Sequence, residues 1–174
     1  ICQDETALIH AMNQLADHTN IKFLISGHGN KMPSVRQAAE RLPNVRICDF
    51  LTGTAFERAV AASSCGIVSL EQGLTGMCAP SKYYSYLQGG LPILAVAEQS
   101  SYLSKDVLYS EIGLCSDVGN GVQLTQNILQ LYRDPELCKK MSDNAVRLYT
   151  EKYAKGIGLN KYAALFKNVL RTAN

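Results

Sequence analysis

The chain has 174 residues, 47% apolar and 18% charged, which is ordinary for one folded domain with a sizeable core. Nothing in this composition suggests disorder, and no apolar run approaches the roughly 18 residues that a membrane-spanning helix needs. The six cysteines show no C-x-x-C spacing. We therefore expect neither a zinc site nor a disulfide framework, and we expect a protein of the reducing cytoplasm.

The formal net charge is only +2, and the basic excess lies in the C-terminal region from Arg133 onward. Such a region can contact an anionic membrane surface, so we expect at most a peripheral membrane association. No motif of interleaved aromatic and basic residues is present. We therefore expect no nucleic-acid partner.

The first part of the chain alternates between helical and strand patterns. Apolar residues recur at helical spacing in the N-terminal segment, at Leu8, Ala11, Met12 and Leu15. The predicted elements are a helix over residues 4–17, strands over 21–26, 45–50 and 66–70, and a helix over 55–64. Thr54 is the predicted N-cap of the last helix. The glycines of Gly27-His28-Gly29 follow the first strand directly, which predicts a tight turn that a ligand can approach closely.

The last part of the chain continues the alternation. Its predicted elements are a helix near 99–111, a strand near 113–118, and helices near 121–133, 135–149 and 158–171. Strands that alternate with helices at this spacing predict an α/β fold. We therefore expect residues 1–174 to form one domain, a doubly wound, Rossmann-like parallel sheet with helices on both faces.

Between these parts, residues 76–96 run from a loop of small residues through a short helix into a buried strand. Ser81 is the predicted N-cap, and the first helical turn presents free N–H groups at the positive end of the helix dipole. Lys82 adds a full positive charge at the same place. Ile93–Val96 is apolar throughout, which predicts a parallel strand covered on both faces. Ligands of open α/β sheets bind at such loops, so we predict an anion pocket here.

The stretch Pro80-Ser81-Lys82-Tyr83-Tyr84-Ser85-Tyr86 through Gly90-Leu91-Pro92-Ile93-Leu94-Ala95 resembles a known family segment. That segment is P-S-K-x-Y-x-Y-x-x-x-G-x-P-(I/V)-(I/L)-A of bacterial family-four glycosyltransferases of the capsule, O-antigen and exopolysaccharide type. The G-x-G turn, the Asn44-Val45 strand entry and the Asp134-Pro135-Glu136 turn resemble further family segments in the same order.

The resemblance implies that this chain is one half of a GT-B fold, the C-terminal, donor-binding domain. A strand and a glycine turn normally precede the helix that Gln3–Ala11 resembles, so we expect a fragment that lacks its first strand and the N-terminal acceptor domain. We also expect this chain alone to transfer no sugar, because transferases of this fold close both domains over their substrates.

The activity that the resemblance implies is retaining hexosyl transfer in surface polysaccharide synthesis, in the cytoplasm or on the inner face of the membrane. The substrates would be a nucleotide-diphosphate sugar and a glycan or lipid-linked acceptor. The growing charge of the leaving diphosphate needs fixed positive groups more than a protein nucleophile. The sequence has no Asp-x-Asp pair, so we expect no metal and no other cofactor.

The resemblance also assigns roles to individual residues. The diphosphate would contact Ser81, Lys82, Gly27, His28 and Gly29. The base, ribose and sugar would contact Leu51, Thr52, Met77, Cys78, Ser85 and Glu71.

Three departures from the family pattern qualify these assignments. Gln3 stands where the family has a diphosphate-binding lysine. Met77 and Ser85 stand where many relatives carry two glutamates, so Glu71 is the candidate acidic substitute. His28 stands where an acid is common. We therefore expect weak binding of free nucleotide diphosphate.

Two other functions remain open at this point. A nucleotide-sugar epimerase shares the two-domain fold, but it needs acids and a histidine placed for proton transfer, and Glu71 is the sole acid between Glu57 and Glu98. A non-catalytic domain that binds a nucleotide or a partner protein is the third possibility.

Overall fold

The structure is a computed structural model that describes residues 4–172. Helices and strands alternate along this part of the chain, and each of its five strands has four residues. The elements are α1 (Thr6–Gln14), β1 (Phe23–Ser26), α2 (Met32–Ala39), β2 (Val45–Cys48), α3 (Gly53–Ala61), β3 (Gly66–Ser69), α4 (Ser81–Gln88), β4 (Ile93–Val96), α5 (Tyr102–Tyr109), β5 (Gly113–Ser116), α6 (Gly121–Arg133), α7 (Pro135–Leu148), a π-helical turn (Tyr149–Tyr153) and α8 (Lys155–Thr172).

The five described strands pair only in parallel, and they form two ladders, β1–β2 and β3–β4–β5. Phe23 lies opposite Val45 in the first ladder. In the second ladder, Ile93 of β4 lies opposite Gly66 on one side and Gly113 on the other. Because parallel strands need crossover connections, a helix follows each strand along the chain.

Strand β4 has helices on both of its faces. Leu94 and Val96 belong to a core cluster that includes α1 and α6, whereas Ile93 and Ala95 belong to a second cluster with α4 and α5. All four residues are at most 1% exposed. Each large apolar side chain buried in this way contributes about 1.5–3 kcal/mol. The predicted α/β fold with a parallel sheet flanked by helices is confirmed.

Two predicted helix starts are wrong by one or two residues. Pro80 holds the N-cap position of α4 with an extended ψ of 110°, and its carbonyl accepts the Tyr83 N–H at 3.1 Å. Ser81 is therefore the first helical residue, and no side chain caps the helix from the N-cap position. Thr52, which is also extended, holds the N-cap position of α3 instead of Thr54.

Helix α8 carries an apolar surface that the described part of the chain does not cover, since every residue from 159 to 170 is exposed. The large apolar side chains of this stretch are Leu159, Tyr162, Leu165, Phe166, Val169 and Leu170. Within residues 4–172, no helix has the length and apolar character required to cross a bilayer.

Close packing between β4 and β5 requires a glycine at position 113. A Cβ added there would lie 1.8 Å from the carbonyl oxygen of Ile93, which is backbone and cannot rotate away. We expect Gly113→Ala to lower the free energy of unfolding by about 3 kcal/mol, as measured by urea denaturation.

Gly158→Ala is the matched control, because a Cβ at Gly158 would have no heavy atom within 4 Å. This change in α8 should leave stability unchanged or raise it by up to about 1 kcal/mol. Equal effects of the two substitutions would contradict the packing of β5 against β4.

Candidate active site

The carboxyl ends of the strands border an open cleft of about 560 Å³. Segments that follow β1, β3 and β5 and the start of α1 converge on it. The lining residues are Asp4, Glu5, Thr6, Lys31, Glu71, Gln72, Val118 and Gly119. This is the edge at which open α/β sheets bind their ligands.

Lys31 joins two of the converging segments. Its Nζ lies 2.6 Å from Oε2 of Glu5 and also contacts Oε1 of Glu71, which is 40 residues away in sequence. Burial alone would lower the pKa of Lys31, but the hydrogen bonds to Glu5 and Glu71 outweigh it and raise the pKa above its usual value. Lys31 therefore stays charged and holds the Glu71 carboxylate at the cleft.

Asp4 connects the loop after β5 to the start of α1. Its side chain is buried, and Oδ2 accepts the backbone N–H of Gly119 at 2.7 Å while Oδ1 accepts the N–H of Thr6 at 2.9 Å. The loop after β5 is thereby held against the start of α1. Together with the Lys31 contacts, this bond fixes the walls of the cleft.

A smaller cleft of about 290 Å³ continues from the first one, since Gln72 and Val118 line both. Its other lining residues are Glu98, Gln99 and Asp117. The two clefts together are therefore lined by five carboxylates and, among the described residues, a single lysine, Lys31. Carboxylates accept hydrogen bonds from hydroxyl groups and repel phosphates, so this surface suits a sugar better than a diphosphate.

A separate positive region lies at the N-terminus of α4, which follows the loop that contains Glu71. No acidic residue lies in the first turn of α4. Lys82 in that turn is half-buried, and burial lowers its pKa to about 8. The N–H groups of the turn and the Lys82 ammonium both favour an anion.

The predicted glycine turn lies at the end of β1. Gly29 has a φ of 131°, a region that favours glycine, and a Cβ there would have no neighbour within 4 Å, so its surface is open. The exposed His28 ring contacts Phe50 edge to face, with 4.8 Å between ring centroids. His28 thus faces the loop that contains Leu51.

The loop that contains Leu51 and Thr52 is braced against β1. The Ser26 hydroxyl donates to the Asp49 carbonyl at 2.9 Å and accepts the Leu51 N–H at 2.8 Å. The Leu51 N–H is therefore already bonded within the chain. Thr52, at the N-cap of α3, is exposed.

The remaining predicted site residues lie outside the two clefts. Met77 is 80% exposed on the loop before α4, whereas Cys78 and Ser85 are half-buried. None of these three lines either cleft, so Glu71 is the only one of the predicted ribose and sugar residues that does. Gln3 lies outside the described residues. Among residues 4–172, no three His, Cys, Asp or Glu side chains are grouped as metal ligands.

Sequence reasoning missed Lys31, Glu5 and Asp4. Lys31 comes directly after the G-x-G-N turn, which places it at the carboxyl edge, and this position is a usable signal. The sequence predicts a helix that already includes Asp4 and Glu5, but α1 begins only at Thr6. Their contacts reach other segments of the chain and leave no local pattern.

Known proteins resemble this chain in sequence and in fold. No protein-family model matches the chain. A probable glycosyltransferase of Pseudomonas aeruginosa, WbjE, is 26% identical over 163 residues, which are 90% of this chain and 39% of WbjE. A glycosyltransferase structure from Rickettsia africae matches 98% of this chain and 45% of its own, with a TM-score of 0.80 and 16% identity. The fold is that of one half of a GT-B glycosyltransferase.

A third similar protein has been solved with ligands. The pneumococcal O-GlcNAc transferase GtfA, in complex with UDP and GlcNAc, matches 97% of this chain and 33% of its own, with a TM-score of 0.71 and 14% identity. This chain therefore spans less than half of the length of each of these relatives.

The Lys31 contacts should contribute measurably to stability. Lys31→Met leaves the Glu5 and Glu71 carboxylates facing each other, and all three side chains are partly exposed, at 27%, 25% and 38%. We expect a loss of about 0.5–1 kcal/mol in urea denaturation at low salt, and a smaller loss in about 1 M salt.

Lys22→Met is the matched control, because Lys22 is exposed and lies outside the cleft. It should change stability by less than about 0.5 kcal/mol. A loss from Lys31→Met that salt does not reduce would show that the effect comes from packing and not from charge.

Proposed function

We propose that this chain is the donor-binding part of a retaining glycosyltransferase that uses a nucleotide-diphosphate sugar. One observation carries the proposal. The positive helix N-terminus with Lys82 and Glu71 of the acidic, hydroxyl-accepting cleft both follow strand β3. They lie at the carboxyl edge of a fold shared with glycosyltransferases over 98% of the chain. A donor of this class carries the matching groups, a diphosphate and a sugar.

The diphosphate would rest on the first turn of α4. Its charge increases when the bond to the sugar breaks, and fixed positive groups stabilise that charge without reorganising. The N–H groups of the turn and the Lys82 ammonium supply them. The backbone at Gly29 would contact the same phosphates, since a Cβ added there has no heavy atom within 4 Å and the surface is open.

The sugar would occupy the acidic cleft. Glu71 is the carboxylate that Lys31 holds in place, so it can accept hydrogen bonds from sugar hydroxyls in a fixed orientation. Such a carboxylate stabilises the positive charge that develops at the anomeric carbon when the diphosphate leaves. Retention of configuration is part of the proposal and rests on the sequence resemblance.

The base would lie against the loop of Leu51 and Thr52, and the acceptor would bind elsewhere in the protein. The relatives are more than twice as long as this chain, which supports an acceptor site on a further domain. We propose a glycan or lipid-linked acceptor of surface polysaccharide synthesis, because the segment Pro80–Ala95 resembles transferases of that type.

Calorimetric titration of this chain with UDP, GDP and UDP-sugars tests the donor site directly. We expect binding in the micromolar range or weaker, and a lower affinity for Lys82→Met by a factor of about 10 to 100. This loss corresponds to one charge-assisted hydrogen bond of about 1.5–3 kcal/mol, and folding should be retained.

Lys105→Met is the control, because Lys105 is exposed on α5 and screening limits its reach to about 8 Å at physiological salt. It should leave the affinity unchanged. Equal losses from both substitutions would refute a specific role of Lys82. The absence of binding by every nucleotide would refute the donor site and favour a non-catalytic domain.

The affinity for UDP should also depend on pH. The pKa of Lys82 is lowered to about 8, so the side chain is mostly protonated at pH 7 and mostly neutral at pH 9. An anion binds the protonated form, and the dissociation constant should therefore rise about tenfold between these two pH values. Isothermal titration across this range measures it.

Lys82→Arg separates this effect from the ionisation of UDP itself. Arginine stays charged throughout the range, so the dissociation constant of the variant should change less than about twofold between pH 7 and pH 9. A tenfold rise in the variant as well would assign the pH dependence to another group.

A further inference from the structure

A buried carboxylate on α5 connects three segments of the chain. Asp106 is 6% exposed, and its Oδ2 accepts hydrogen bonds from the phenols of Tyr83 and Tyr153, each at 2.6 Å. Its Oδ1 accepts from Nζ of Lys152 at 2.8 Å. Tyr102, at the start of α5, is a further and longer donor at 3.3 Å.

The donors keep this carboxylate ionised. Burial alone would raise the pKa of Asp106, but the hydrogen bonds from Lys152, Tyr153 and Tyr83 outweigh it and lower the pKa. Burial and the nearby carboxylate raise the pKa of Tyr83, so its phenol keeps its proton and remains a donor. Hydrogen bonds to a charged group in a buried place are the strong kind.

Tyr83 connects the Asp106 carboxylate to the first turn of α4. Tyr83 is 2% exposed and lies in the first turn of α4, next to Lys82. Its ring also contacts Tyr84 and Tyr153 edge to face, at centroid distances of 5.3 Å and 6.2 Å. Pro80 offers no side chain that could cap α4. The bond from Tyr83 to Asp106 therefore ties the uncapped end of the helix to α5.

We infer that Asp106 is a positioning residue, which acts through Tyr83 to fix the first turn of α4 and with it the phosphate-binding groups of the donor site. The inference rests on the proposed function, which supplies the ligand. The constraint on α4 is present without a ligand. The carboxylate touches no part of the donor itself. Lys152 and Tyr153 also donate to Asp106, from the π-helical turn that precedes α8.

Tyr83→Phe tests the inference by removing one oxygen atom and retaining the buried ring. Tyr153→Phe is the control, because it removes an equally short bond to the same carboxylate oxygen from a segment outside α4, together with the contact between its phenol and the Tyr102 hydroxyl. Both variants should lose stability in thermal unfolding. Only Tyr83→Phe should weaken UDP binding, by about tenfold, which is the expected effect of losing one such bond.

Amide hydrogen exchange of the unliganded protein supplies a second measurement. The Tyr83 amide, which donates to the Pro80 carbonyl, should exchange about tenfold faster in Tyr83→Phe, since the turn opens more often, and at an unchanged rate in Tyr153→Phe. A role confined to stability predicts similar changes in both variants.

The outcomes distinguish the two proposals. Weaker UDP binding and faster exchange in Tyr83→Phe alone would support the positioning role. Unchanged binding in Tyr83→Phe, or equal losses in both variants, would overturn it. If the wild-type chain bound no UDP, the proposed function would fail. The exchange rates would still test the constraint on α4. Equal rates in the wild type and Tyr83→Phe would overturn that constraint.

Discussion

Burial of β4 on both faces is the constraint on which the rest of the structure depends. Ile93 and Ala95 pack toward one layer of helices and Leu94 and Val96 toward the other, so the strand can lie only at the centre of a covered, parallel ladder. Parallel pairing directs the carboxyl ends of β3, β4 and β5 to one edge. The segments with Glu71, Glu98 and Asp117 follow these ends, and the clefts lie among them.

Charge is segregated within the loop that follows β3. Glu71 at its start belongs to the acidic cleft, whereas its end leads into the positive N-terminus of α4 with Lys82. A ligand with hydroxyl groups at one end and phosphates at the other matches this order along a single loop. A free polyanion would meet only one favourable region, and this agrees with the weak binding of nucleotide diphosphate expected from Met77 and Ser85.

The sequence predicted those features that depend on local pattern. The uniformly apolar Ile93–Val96 and the helices α6 and α7 were found within a residue or two, because periodicity and turn residues specify them. The Lys31 contact with Glu71 and the bond from Tyr83 to Asp106 span 40 and 23 residues, so no local pattern encodes them. Ser81 was placed at the N-cap from residue preference alone, whereas the backbone of Pro80 takes that position.

The environment of Lys82 makes the binding of an anion at the first turn of α4 energetically favourable. A cation at a helix N-terminus opposes the helix dipole, which favours acids there, and this turn contains none. Burial adds a desolvation cost that lowers the pKa of Lys82 to about 8. Both costs fall when a phosphate approaches, because one anion offsets the dipole and the ammonium together. The Tyr83 bond to Asp106 opposes displacement of the turn, so the N–H groups and the Lys82 ammonium keep their positions in the folded chain.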